Sequence, residues 1–319
     1  MNILNHHKVV GIFGLAKNTG KTTSLNALIE TYKDDVIALT SIGLDGEDYD
    51  QLSFLPKPKI LAYPNFIIAT AKETLKNLKN YTIIEETPHL TSLGNIVIIR
   101  IHQKQHVLLA GPTTNKALND IALKLKKLAT FTIIDGALNR KTFTQIKAID
   151  GLILATGASV ASRFEETIEI TLNTVYLYTL PTSHLKISKH SEVVHVHEDK
   201  AKEYNHKNTL EHIISKLKEN DSLFIKGAIT DRIIDSIIAR NMKNIELVAV
   251  DASKYLFNVK KVKYLKALNI QLNVLHQIPL IAITINPWHP QGLHYDEKEF
   301  KETLKKHTQI PIFNVLERN

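Results

Sequence analysis

The chain has 319 residues, 44% of them hydrophobic, so it is long enough for two domains with sizeable cores. The net charge of +8 comes from lysines spread along the whole sequence, which favours solvated helix faces over a nucleic-acid surface. Cysteine is absent, which excludes disulfides and thiolate metal sites, and no apolar run approaches the ~20 residues that span a bilayer.

The first predicted elements are a buried strand and a helix, joined by a glycine-containing loop. The apolar run VVGIF predicts the strand at residues 9–13. The loop follows, and after it Leu25, Leu28 and Ile29 recur at helical spacing. A strand, a glycine loop and a helix N-terminus in this order are typical of a phosphate-binding loop.

The junction carries the residues that such a loop needs. Lys21 supplies a mobile cation for the β- and γ-phosphate oxygens, so it is a predicted catalytic residue. The Thr22 hydroxyl is a predicted Mg²⁺ ligand. We therefore predict that ATP binds with Mg²⁺, and that the nucleotide contacts Lys17, Asn18, Thr19, Gly20, Lys21, Thr22 and Thr23.

The spacing of the loop differs from the common pattern. Gly14 lies one residue early, which gives G-x5-G-K-T. This longer spacing resembles dethiobiotin synthetase and the wider group of nucleotide hydrolases that includes MinD-like proteins. The signature lysine of that group would fall on Ala16, whereas the sequence has Lys17. The family role is therefore not assigned to Lys17.

The first half of the chain alternates predicted strands with predicted helices. The apolar residues of the helix at 115–128 follow the helical period. Further helices are predicted at residues 66–78 and 160–172. Strands are predicted at residues 36–40, 82–86, 95–101, 106–110, 131–136 and 151–158, with 95–101 and 106–110 forming a hairpin. The alternation predicts an α/β fold whose mostly parallel sheet is covered on both faces.

A polar segment rich in His, Lys and Glu follows Pro181, so we place a domain boundary there. The prediction is a P-loop nucleotide-binding domain at residues 1–181, followed by a smaller α/β partner-binding or accessory domain at residues 182–319. In the second half, strands are predicted at residues 223–225, 246–251, 271–275 and 280–285, helices at 231–240 and 297–307, and an extended end at 310–315.

Acidic residues after two of the strands are candidate Mg²⁺ ligands. Asp135 ends the strand FTIID, and an acid at a strand end beside a phosphate loop holds Mg²⁺ through its water shell. The loop LDGED offers Asp45 and Asp48, either as metal ligands or to position an attacking water. A solvated acidic loop explains LDGED equally well. Residues 139–141, Asn-Arg-Lys, are candidates to sense the γ-phosphate.

Two weaker candidates lie in the second half. His195 and His197 fall on one face of an extended segment and offer a metal site, although chance proximity is common in a chain with 15 histidines. Asn286 and Trp288 follow a strand in a Pro-rich loop, a position that often borders a ligand in α/β domains. Simple packing of Trp288 explains its position equally well.

A set of motifs in fixed order resembles a narrower family. The segments GLAKNTGKTTSLNALI, LDGEDYDQ, LPKPKI, IATAKETL, LLAGP and IIDGALNRK are similar to the ATP-binding subunit of the lysine 5,6-aminomutase reactivase, and the similarity extends through GLILATGAS to INPWHPQG. The resemblance implies a factor that uses ATP and Mg²⁺ to help an adenosylcobalamin-dependent aminomutase discard damaged cobalamin. It also implies a MutS-related ATPase subunit and the aminomutase as partners.

The residues themselves leave alternatives open. We favour a P-loop ATPase whose hydrolysis drives protein remodelling. An ATP-dependent ligase of the dethiobiotin-synthetase type would need substrate-dependent turnover, and a nucleotide-sensing adaptor would bind ATP but hydrolyse it negligibly. The N-terminal residues lack a signal-peptide core, so we expect a cytoplasmic protein with no nucleic-acid or membrane partner. The sequence leaves a homodimer open.

Overall fold

A computed structural model of the chain describes residues 4, 6–45, 60–136, 146–188, 190–205, 210–292 and 294–314. The chain divides into two compact units, Met1–Ile168 with Leu280–Asn319, and Glu169–Pro279. The division predicted at Pro181 differs from these units, because residues 280–319 belong with the first of them.

The helices and strands cover most of the described residues. In chain order the described strands are β1 (Val9–Gly14), β2 (Ile37–Ser41), β3 (Leu44–Asp45), β4 (Ile60–Ala62), β5 (Ile67–Ala71), β6 (Tyr81–Thr91), β7 (Gly94–Ile101), β8 (Gln105–Val107), β9 (Leu109–Ala110), β10 (Phe131–Asp135), β11 (Gly151–Gly157), β12 (Val193–His197), β13 (Lys200–Tyr204), β14 (Ser222–Ile225), β15 (Ile229–Thr230), β16 (Glu246–Ala249), β17 (Tyr255–Leu256), β18 (Gln271–Val274), β19 (Leu280–Asn286) and β20 (Ile312–Asn314). The described α-helices are α1 (Lys21–Thr31), α2 (Asn115–Leu128), α3 (Phe164–Tyr178), α4 (Leu210–Lys216), α5 (Asp231–Ala239), α6 (Val262–Ala267) and α7 (Glu297–Lys305). Over the described ranges, each helix is too short or too polar to span a membrane.

The first unit is built on a sheet whose described strands run in the order β20-β19-β11-β1-β10-β2-β5-β7-β6. The strands from β20 to β5 are parallel, and β7 is antiparallel to both β5 and β6. Every residue of β1, β2, β5, β10 and β11 is buried, as expected for a parallel sheet covered on both faces. The predicted α/β class with a mostly parallel sheet is confirmed.

Two predictions in the first half are wrong. Residues 66–78 do not form an α-helix, because β5 is followed by a short 3-10 helix, Lys72–Asn77. The apolar run there serves a strand that is buried on both faces, and such a run resembles a buried helix in sequence. The predicted pairing of residues 95–101 with 106–110 is also wrong, since β7 pairs with β5 and β6, whereas β8 pairs with β4.

Helix α2 spans the predicted residues 115–128. Its N-cap is Thr114, whose hydroxyl accepts a hydrogen bond of 3.3 Å from the Ala117 N–H. Leu118, Ile121 and Leu125 are fully buried and form the apolar stripe that the sequence period indicates. The last turn carries two lysines, which interact favourably with the helix dipole.

The second unit has its own sheet, with the described strands in the order β13-β12-β14-β16-β18. Strands β14, β16 and β18 are parallel, and the β12–β13 hairpin adds to one side in antiparallel fashion. The core of this unit is mostly aliphatic and also contains Tyr255, which is 3% exposed. Its hydroxyl lies 2.6 Å from the Leu247 carbonyl and 2.8 Å from the Asn273 carbonyl, so it links two neighbouring strands.

Candidate functional site

The candidate site lies at the carboxyl edge of the large sheet, around β1. Strand β1 has β10 on one side and β11 on the other, and all three run parallel. Residues 15–20 connect β1 to the N-terminus of α1. Ligands of open α/β sheets bind at the carboxyl ends of the strands, so this loop occupies the expected position for a binding site.

The loop folds back closely on the end of β1. A Cβ atom at Gly14 would lie 2.5 Å from the Thr19 Oγ1 and 3.1 Å from two carbon atoms of the Lys21 side chain. Thr19 is fully buried, and its hydroxyl donates a 3.1 Å hydrogen bond to the Ala16 carbonyl. Only glycine leaves room for this approach, so Gly14 has a packing role despite its shifted spacing.

The N-terminal turn of helix α1 presents backbone N–H donors and carries no acidic side chain. Gly20 is the N-cap residue, with φ 85° in the left-handed region that glycine adopts without strain. The first helical residues are Lys21, Thr22 and Thr23, and the Ser24 N–H makes the first intrahelical bond, to the Gly20 carbonyl at 2.8 Å. The N–H groups that precede this bond have no acceptor one turn back in the helix and carry the positive end of the helix dipole. This end of α1 is therefore suited to an anion.

Hydrogen bonds from neighbouring strands hold the loop in place. The Asn18 carbonyl accepts from the Asn286 side-chain amide at 3.0 Å and from the Ser159 hydroxyl at 3.2 Å. The Leu15 N–H donates to the Ala155 carbonyl of β11 at 3.1 Å. The loop is thus attached to β11, to β19 and to the segment that follows β11.

Two side-chain hydroxyl groups, those of Ser24 and Thr284, link the start of α1 to the sheet. The Ser24 Oγ lies 2.8 Å from both the Gly20 carbonyl and the Thr284 Oγ1 of β19. Ser24 and Thr284 are 1% and 7% exposed. Sequence reasoning missed Ser24, Thr284 and Ser159, because nothing in the chain order indicates that these positions meet.

Asp135 belongs to β10, which lies on the opposite side of β1 from β11. It ends β10, is 1% exposed, and pairs in register with Ile12 of β1. The next N–H group, that of Gly136, donates to the Ile12 carbonyl at 3.1 Å. The structure therefore brings Asp135 to the sheet edge that carries residues 15–20, the predicted phosphate loop.

The LDGED segment begins near the same carboxyl edge of the large sheet. The Ile42 N–H donates to the Asp135 carbonyl at 2.9 Å, and Asp45 ends β3, where it pairs with Leu109 of β9. Asp48 and residues 139–141, Asn-Arg-Lys, lie outside the described residues.

A tight contact fixes the chain between β2 and β3. The Ser41 hydroxyl donates toward the Leu109 carbonyl at 3.1 Å and accepts from the Gly111 N–H at 3.0 Å. A Cβ atom at Gly111 would lie only 1.8 Å from the Ser41 carbonyl oxygen. Sequence reasoning assigned no role to Ser41 or Gly111, although LLAGP carries the relevant glycine.

The two histidines predicted as candidate metal ligands, His195 and His197, both contact one carboxylate of the second unit. His195 Nε2 and His197 Nδ1 lie 2.6 Å and 2.7 Å from separate oxygens of Asp221, whose side chain is 1% exposed. Burial raises the pKa of the Asp221 carboxyl, but hydrogen bonds from the Lys218 N–H and both imidazoles outweigh it, so the net pKa is lowered. Within the described ranges, no group of three or more His, Cys, Asp or Glu side chains is arranged to hold a metal ion.

Comparison of the sequence with models of known protein families and with curated proteins finds no match.

Proposed function

We propose that this chain is a P-loop ATPase that binds MgATP at the β1–α1 junction. The observation that carries the proposal is the close approach of Lys21 and Thr19 to Gly14. A β-carbon would fill the space that these side chains occupy, and α1 points its N-terminal donors to the same edge. A loop of this form suits the phosphates of a nucleotide.

The residues present fit both the nucleotide and its metal. The N–H groups of the first turn of α1 and the Lys21 ammonium would hold the phosphate oxygens. The Thr22 hydroxyl and the Asp135 carboxylate are hard oxygen ligands of the kind that Mg²⁺ prefers, and Asp45 is the third candidate. When bound, Mg²⁺ neutralises charge on the β- and γ-phosphate oxygens.

The proposed reaction is hydrolysis of the γ-phosphate. A water oxygen attacks the γ-phosphorus, the bond to the β–γ bridging oxygen breaks, and ADP leaves with the electron pair. The attacking water releases a proton to bulk solvent, and the products are ADP and inorganic phosphate. Orienting this water is the role proposed for Asp45. Lys21 stabilises the charge that grows on the departing oxygens.

The cellular role that we propose is the ATP-binding subunit of a reactivating factor for an adenosylcobalamin-dependent aminomutase. The similarity of the loop, LDGEDYDQ, LLAGP and IIDGALNRK segments to the lysine 5,6-aminomutase reactivase supports this role. ATP and ADP would favour different arrangements of the segments around the loop, and so different affinities for the aminomutase and a MutS-related ATPase subunit.

A reconstitution tests this role. The purified chain, the MutS-related ATPase and an aminomutase carrying damaged cobalamin are mixed, and cobalamin exchange is followed with and without ATP. We expect exchange to need both this chain and ATP, to fail with Lys21→Ala, and to persist with Lys33→Ala, a lysine at the far end of α1. Exchange that proceeds equally well without the chain would rule out the reactivase role and leave the ATPase proposal standing.

A further inference from the structure

The loop that follows β19 holds an exposed aromatic side chain, and the Asn286 side chain links this loop to the β1–α1 loop. Trp288 is the only tryptophan of the chain and is 54% exposed, which is unusual for so large an apolar group. We propose that Trp288, backed by His294, is the platform on which the base of the bound nucleoside triphosphate stacks. This inference rests on the proposed function, because it assigns the nucleoside end of the same site.

The Trp288 side chain is held in a defined position. Its ring and the His294 ring have centroids 4.1 Å apart at an interplanar angle of 53°. Trp288 and His294 also form an antiparallel backbone bridge. An aromatic group fixed in this way loses little conformational freedom when a ligand stacks on it, so the binding free energy is better preserved.

One side chain connects this platform to the phosphate loop. The Asn286 Nδ2 donates to the Asn18 carbonyl at 3.0 Å, while its Oδ1 accepts from the Trp288 N–H at 3.2 Å. The same amide therefore fixes both the loop that would hold the phosphates and the residue that would hold the base.

The C-terminal end of the loop that contains Trp288 is held in place by Tyr295. Tyr295 is 6% exposed, its N–H donates to the Pro287 carbonyl at 3.0 Å, and its hydroxyl donates to the Ala161 carbonyl at 3.0 Å. Its ring packs edge-on against Phe164 and Phe300. The chain on both sides of Trp288 is thus tied to the body of the first unit.

The strand order agrees with a nucleotide site whose phosphate end and base end lie on opposite sides of β1. Strand β10, which ends in Asp135, lies on one side of β1, whereas β11 and β19 lie on the other. The metal and γ-phosphate end then faces β10, and the nucleoside end faces the loop after β19. Stacking on an aromatic ring tolerates any base, so we expect ATP and GTP to bind with similar affinities.

The single tryptophan makes a direct test possible. Emission of the wild-type chain is recorded during titration with MgATP, MgGTP and magnesium tripolyphosphate, and calorimetry gives each dissociation constant. We expect both nucleotides to change the Trp288 emission, and tripolyphosphate to bind without changing it. Trp288→Ala should weaken MgATP about tenfold or more and leave tripolyphosphate unaffected, since only the base contact is lost.

His294→Ala should weaken MgATP less, and Leu90→Ala, which removes a 74% exposed apolar side chain on β6, is the control with unchanged affinity. MgATP binding that leaves the emission and the Trp288→Ala affinity unchanged would overturn the platform while keeping the phosphate site. Failure of both MgATP and tripolyphosphate to bind would overturn the phosphate site and the platform together.

Discussion

The side-chain amide of Asn286 donates a 3.0 Å hydrogen bond to the backbone carbonyl of Asn18, although 268 positions separate the two residues. Asn18 has φ 59°, in the left-handed region that asparagine adopts more readily than most residues. The conformation of residues 15–20 therefore depends on β19, a strand of the first unit that follows the second unit in the sequence. Nucleotide binding is expected to respond to changes at this distant position.

Asn286→Ala should weaken MgATP binding about three- to tenfold, because the loop then loses one of its hydrogen bonds, and that bond has ordinary strength. Calorimetric titration gives the affinity, and circular dichroism confirms that the variant is folded. Gln291→Ala, which changes an exposed residue in the loop that follows β19, is the control and should match the wild type. Equal affinities in all three proteins would show that the Asn286 contact does not support the site.

Asp135→Asn should reduce single-turnover ATP hydrolysis about a hundredfold or more, with a much smaller effect on nucleotide affinity. The substitution keeps the size of this 1% exposed side chain but removes the charge proposed to act on Mg²⁺. Rates are measured over a range of Mg²⁺ concentrations. Wild-type rates throughout that range would restrict Asp135 to a structural role.

Gly111→Ala should destabilise the first unit by about 3 kcal/mol or more, the upper end of overpacking costs, because its Cβ would lie 1.8 Å from the Ser41 carbonyl oxygen. Gly43→Ala is the matched control. Gly43 has φ +71°, but no atom of the described residues lies within 4 Å of its Cβ position, so a backbone cost of about 1 kcal/mol is expected. Urea unfolding measures both, and an equal loss in the two variants would contradict the steric argument.

The sequence pattern correctly predicts the elements that depend on contacts between residues close together in the chain. Strand β1, helix α2 and Asp135 at the end of β10 lie where periodicity and the loop motif place them. The helix predicted at residues 66–78 was wrong because full burial removes the alternation that identifies a strand. The hydrogen bonds from Asn286, Ser159 and Thr284 join positions far apart in the chain, and no local pattern encodes such contacts.

Asp221 provides a test of the second unit that is independent of nucleotide. Its pKa in the folded chain lies below the ordinary value of 3.8, so its hydrogen bonds stabilise the unit fully above about pH 3.8. That stabilisation is lost as the pH falls through the lowered pKa. Asp221→Asn should reduce the free energy of unfolding by about 1–3 kcal/mol at pH 7, with a smaller difference from wild type at pH 3.

Urea unfolding at the two pH values measures this difference. Asp199→Asn is the control, because Asp199 is exposed and asparagine accepts its φ of 61°. A deficit in Asp221→Asn that is equally large at pH 7 and pH 3 would mean that the charge of Asp221 does not contribute.

Calorimetric titration of the wild-type chain and Lys21→Ala with MgATP tests the proposed nucleotide site directly. We expect saturable binding at one site per chain, weakened at least tenfold in Lys21→Ala, because the variant loses the cation that reaches the β- and γ-phosphate oxygens. Lys33→Ala, which removes a half-exposed lysine beyond the far end of α1, should bind like the wild type. Equal affinity in a folded Lys21→Ala, or no binding by the wild type, would contradict a phosphate site at the β1–α1 junction.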